Sequence, residues 1–178
     1  MTASAHVARV ERHATIAAAL SRLDDRGLAA LVDSAPVRSF GIGGATGVIE
    51  VAGAPVFVKR LALTELEQRP EHVGSTANLF ALPTYYQYGV GAGSAGFGAW
   101  REVAALALAT RWTLAGDTAG IPLLHHHRVR AGPPPRPPGW DAVPERERVV
   151  AFWDGSGAVR ARLAALTTAT ASVVVFLE

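Results

Sequence analysis

Cysteine is absent from the 178 residues and methionine occurs once. The first absence excludes disulfides, thiolate zinc sites, iron–sulfur clusters and a cysteine nucleophile. Long apolar runs are missing too. The N-terminus is interrupted by His6, Arg9, Glu11, Arg12 and His13 and lacks the continuous apolar core of a signal peptide. The weakly polar stretch from Ala164 to Leu177 is shorter than the about 20 residues that a bilayer span takes, so a cytoplasmic setting away from membranes is expected. Charge is also scarce. Lys+Arg 17 against Asp+Glu 15 gives a net +2, and only 18% of residues are charged. The pI near 9.5 reflects missing cysteine and few acids rather than a basic stripe, so no nucleic-acid partner is expected. What is plentiful is apolar: 49% of the residues are hydrophobic, enough for one compact domain and against disorder.

Ile16, Leu20, Leu23, Leu28, Leu31 and Val32 recur at spacings near three and four, which predicts an amphipathic helix over residues 14 to 33, broken at Gly27. Pro36 changes the pattern. Val37 to Phe40, Val48 to Val51 and Val56 to Lys59 read as three successive antiparallel strands, with a glycine cluster from Gly41 to Gly47 between the first two and a turn at Ala52-Gly53-Ala54-Pro55. Residues 64 to 98 read as loop, and Ala99 to Trp112 as a helix almost wholly apolar through Thr110 except for Arg101 and Glu102. A strand is expected over Ile121 to Val129, then a Pro-dense connection from Ala131 to Pro144, then helices over Glu145 to Trp153 and Ala158 to Thr167. Ser172 to Leu177 reads as a buried strand, and with Glu178 at its end the chain looks cut short. Pro133 to Pro138 reads as a stiff surface connection, with docking into an aromatic-lined partner groove as the alternative.

Chemistry concentrates in two places. Along Val56-Phe57-Val58-Lys59, strand alternation puts Lys59 on the face of Phe57, and an inward lysine needs an anion. Glu102 is the only acid between Glu71 and Asp117, sits on a helix too apolar to solvate it fully, and needs a cation. Pairing the two satisfies both. A glycine-rich hairpin, meanwhile, brings backbone N–H groups close to phosphate oxygens because no Cβ intervenes.

Together, the glycine hairpin, Lys59, Glu102 and the apolar strand ending at Glu178 resemble the N-terminal, ATP-binding lobe of a bacterial serine/threonine protein-kinase-like protein, over about residues 37 to 178. The resemblance implies an α+β lobe with a twisted antiparallel sheet of about five strands, a helix carrying Glu102 packed on it, a helical extension over 1–36, and insertions at 64–98 and 131–170. It implies ATP as cofactor, with Mg²⁺ arriving on the nucleotide because no ligand set for the ion is visible. It further implies that Lys59 neutralises phosphates, that Glu102 positions Lys59, that Gly41, Gly43, Gly44 and Gly47 cover the phosphates, that Ile49 and Phe57 contact the base, and that Glu178 belongs to the same cofactor site.

The chain departs from the family in several ways. Two glycine registers remain open, one running through Gly41, Gly43 and Thr46, the other through Ile42, Gly44 and Gly47. Phe57 stands where the family has a small residue, and Lys59 and Glu102 lie 43 positions apart, about twice the family's spacing. No catalytic-loop base or metal-binding aspartate of the second lobe is present, so phosphoryl transfer to a protein or peptide substrate is expected only with a separate or downstream C-lobe. A non-catalytic, pseudokinase-like binding module is the alternative. A more distant rival is an NADP-binding Rossmann-type protein. It rests on Gly91-Ala92-Gly93-Ser94-Ala95-Gly96 after a possible strand Tyr85 to Val90 and before a helix. His125-His126-His127 invites a metal, but alternation turns His126 away from its neighbours and leaves two ligands at most.

Overall fold

A computed structural model describes residues 3–41, 44–91, 98–139 and 142–178. Its order is α1 (Ala3–Ser21), α2 (Asp25–Asp33), β1 (Ser39–Gly41), β2 (Gly44–Val51), β3 (Ala54–Leu63), α3 (Glu65–Gln68), α4 (Thr84–Gln87), α5 (Ala99–Ala115), β4 (Leu124–Ala131), α6 (Val143–Phe152), α7 (Gly157–Thr167) and β5 (Ala171–Leu177), with a single 3₁₀ turn at Pro70–His72. The fold is α+β. Five antiparallel strands form one sheet in the order β1-β2-β3-β5-β4. Such a sheet has no parallel βαβ unit, and residues 84–87 form a helical turn instead of a strand, so the Rossmann-type reading is overturned. Most of its glycine motif lies outside the described residues.

The expected helix over 14–33 is two helices. It begins at Ala3, and the break falls before Gly27, where the Asp24 side chain accepts from the Gly27 backbone N–H at 2.7 Å and caps α2. The β2–β3 turn is the two-residue loop Ala52-Gly53, both residues at positive φ (52° and 76°), the backbone that matches strand twist in a tight hairpin. That turn fixes the register: Val51 opposes Ala54, Val48 opposes Phe57, and Thr46 opposes Lys59.

Alternation then divides the sheet into two faces. One carries Ile49, Val51, Val56, Val58, Val174 and Phe176 and packs against Ile16, Leu20, Leu28 and Val32 of α1 and α2. The other carries Leu61, Leu63, Val173, Val175 and Leu177 and packs against Trp100 and Val103 of α5. β5 is an interior strand between β3 and β4, every residue buried because helices cover both faces. The 131–139 stretch is tied to the protein itself: Pro134 is buried, Arg60 donates to the Pro133 carbonyl, and Arg136 donates to the carbonyls ending α7. No helix among the described residues is long and apolar enough to cross a membrane.

Candidate functional site

Lys59 projects from the middle of β3 toward α5, and its Nζ donates to Glu102 Oε1 at 2.7 Å. The strand fixes the cation, hydrogen-bonded to β2 on one side and β5 on the other. The first helical turn of α5 supplies the anion. Both side chains are largely but not wholly covered, at 17% and 22% exposure, so solvent or a ligand reaches the pair. An ammonium has three donors, and among the described residues Glu102 engages one of them. Lys59 is also the only lysine of the chain, against 16 arginines. A chain that otherwise uses guanidinium for every fixed cation places its one compact, rotatable charge here.

The surroundings run from apolar to polar along the same face. Phe57 opposes Val48 on β2 and Leu177 on β5, giving an apolar platform one pair before Lys59. Beyond Lys59, Gly44 opposes Leu61 and Gly41, so the tip of the β1–β2 hairpin lies past the lysine toward the end of β3. The arrangement can hold a flat apolar group against Phe57 and an anion against Lys59.

Lys59, Glu102 and Phe57 are therefore brought together. Ile49 is not: its side chain lies in the α1/α2 core, 6% exposed. Val48, opposite Phe57, and Thr46, opposite Lys59, lie on the face of the sheet that Ile49 was expected to share. Glu178 is not brought there either. Its carboxylate lies beside α1, accepting from Arg9 Nε at 2.8 Å and from the Leu123 backbone N–H, and this pairing holds its pKa below the usual carboxylate range. Gly44 and Gly47 have packing reasons of their own. A Cβ on Gly44 would stand 2.1 Å from the Arg60 carbonyl oxygen, and one on Gly47 3.0 Å from that of Pro36. Gly43 lies outside the described residues.

Val48 and Leu177 escaped the sequence reading although a signal existed for the first. Counting back from the Ala52-Gly53 turn sets 48 opposite 57. Leu177 needed the β3–β5 pairing, which no local pattern encodes. For a metal, no cluster of three histidine or acidic side chains fit to hold one occurs among the described residues, and Glu102 is already engaged by Lys59.

The histidine run behaves differently from simple alternation. A bulge between Leu124 and His126 turns His125 as well as His126 toward the helical extension. His125 Nδ1 lies 3.0 Å from His13 Nδ1, and burial pushes its pKa down to about 4.

No family model matches the chain, and neither a curated protein nor a solved structure matches it.

Proposed function

We propose that this chain is the nucleotide-binding lobe of an ATP-dependent, serine/threonine-kinase-like phosphotransferase. The observation that carries the reading is a single lysine held by Glu102 at 2.7 Å with donors to spare, next to the apolar platform of Val48, Phe57 and Leu177. In this reading the base lies on the platform and the phosphates turn toward the Lys59 ammonium beneath the β1–β2 hairpin. Glu102 keeps that ammonium from swinging into solvent. Lys59 thus supplies charge neutralisation and orientation, the two contributions that phosphoryl transfer asks of a protein at the phosphates. The attacking base and the metal-binding acids belong to a second lobe or another chain, with a protein or peptide as acceptor and the cytoplasm as the setting.

The test is calorimetric titration of Mg·ATP into the wild-type chain and into Lys59→Ala, with NADPH as the control ligand. Binding of ATP that weakens about 10- to 100-fold in the variant, the size of lost hydrogen bonds to a charged group, supports the reading. Equal ATP binding by both chains, or none by the wild type, overturns it.

A further inference from the structure

The pair at the centre of the site joins two elements that are fixed to different degrees. Lys59 is locked by strand ladders on both sides. Glu102 is carried by a helix whose contacts with the sheet beside the pair are apolar and therefore non-directional; its one other directional bond to the sheet among the described residues, from the Leu124 backbone N–H to Thr110 Oγ1 at 2.7 Å, lies eight residues, about 12 Å, further along α5. Each residue of slip moves a side chain by 1.5 Å and 100°. A 2.7 Å contact needs directional restraints elsewhere on the helix.

Next to the pair, such restraints sit in the two residues before Glu102. Trp100 Nε1 donates to the Glu67 carbonyl at 2.9 Å in a buried contact. Arg101 donates through Nη1 to Gln87 Oε1 at 2.8 Å and through Nε to the Thr76 carbonyl. All three acceptors belong to the long segment between β3 and α5. The anchor for the tryptophan is itself rigid. Glu67 closes a capping box with Thr64, and its carboxylate pairs with Arg162 of α7 at 2.8 Å, the two side chains 6% and 7% exposed. The chain entering α5 runs hard against the same carboxylate, since a Cβ on Gly98 would stand 2.7 Å from Glu67 Oε1. Three successive residues, 100, 101 and 102, point about 100° apart around the helix, so their bonds to Glu67, to Thr76 with Gln87, and to Lys59 fix rotation and axial position together.

We infer that residues 64–87, between β3 and α5, are a positioning element for the Lys59–Glu102 pair, with Trp100 its main bolt and Arg101 its second. The consequence for nucleotide affinity rests on the function proposed above; the positioning of the pair does not.

Because the chain has one lysine, selective ¹³C labelling of lysine gives one side-chain signal, which reports the pair with no nucleotide present. Its position is recorded for wild type, Glu102→Gln, Trp100→Phe and Trp100→Phe/Glu102→Gln. The expected result is that Trp100→Phe moves the signal most of the way to its Glu102→Gln position and adds nothing in the double variant. A folded Trp100→Phe chain with the wild-type signal overturns the inference, as does a shift of equal size in both backgrounds. Should Trp100→Phe lose its cooperative melting transition, Arg101→Ala decides by the same readout, with a smaller shift expected and no shift overturning it. Mg·ATP titration of Trp100→Phe follows, where affinity falls about five- to tenfold, the size of one lost hydrogen bond. A moved signal with no ATP binding by any chain sinks the proposed function and leaves the positioning intact.

Discussion

Helices close on the sheet from both sides, and each side carries a charge pair linking helix to strand, yet the pairs differ in kind. On the α1 side, Arg9 engages all three nitrogens of its guanidinium: it meets both oxygens of Glu178 and the carbonyls of Ala119 and Ile121. On the α5 side, Lys59 gives one of its three donors to Glu102, its one partner among the described residues. A saturated pair is a fastening, whereas a pair with unused donors at a solvent-reached edge is a place for a third charge. The same difference extends to what lies behind each pair. Both sides rest on apolar cores of similar size, to which the α1 side adds ionic contacts at its rim and the α5 side buried directional bonds through Glu67 and Arg162.

The largest effect expected from this contrast is on stability. Arg162→Met leaves the Glu67 carboxylate buried without its partner, and denaturant titration should find a loss of about 3–5 kcal/mol. A loss below about 1 kcal/mol would mean that the α5 side is not braced through that pair. Second, Lys59→Arg converts the open pair toward the closed type of Arg9. Folding stability should hardly move while Mg·ATP affinity falls about tenfold, because a guanidinium engages Glu102 through two donors and cannot replace the compact ammonium. Undiminished affinity would erase the distinction between the two pairs.

Third, acid should loosen the α1 side through the buried His13–His125 contact. His13 and His125 both have depressed pKa values through burial, His125 to about 4, with the Glu178 carboxylate opposing the shift in each. A histidine depressed in the folded state takes up its proton later than in the unfolded chain. The stability these groups contribute is therefore complete above about 6.5 and is lost progressively as pH falls toward about 4. His125→Phe should flatten that part of the stability profile, and a slope unchanged in the variant would locate the acid sensitivity elsewhere. Last, Arg9→Ala removes a pair that is 14% and 28% exposed at its side chains, with an expected cost of about 1 kcal/mol that shrinks at high salt. A cost as large as that of Arg162→Met would remove the contrast between the two sides.

Much of the fold was legible because it rests on local patterns. The apolar period of α1 and α2, the β-branched runs of β2, β3 and β5, and the turn residues at 52 and 53 each specify an element within a window of about ten residues. The pairing of Lys59 with Glu102 was legible for a different reason: each is an ionisable group in an apolar setting with no other partner near it in sequence. Ile49 and Glu178 went astray because face assignment depends on register, and a one-residue offset sends a side chain to the opposite side of the sheet. The histidine run failed for the same physical reason, through a bulge that adds a residue to one strand and breaks the alternation. The stretch from 64 to 98 was opaque because its short turns are held by contacts with α5 and α7 rather than by any periodicity of its own.

The amino-acid sequence alone settled that one compact domain forms without disulfides, that strands and helices occur where apolar spacing puts them, and that one lysine and one helical acid need each other. These follow from solvation and chain geometry, which act residue by residue. Which side of the sheet each residue faces, that Arg9 claims Glu178, and that Glu67 reaches both Trp100 and Arg162 were decided only when distant segments met. Such contacts depend on strand register and helix placement, and those are properties of the packed whole.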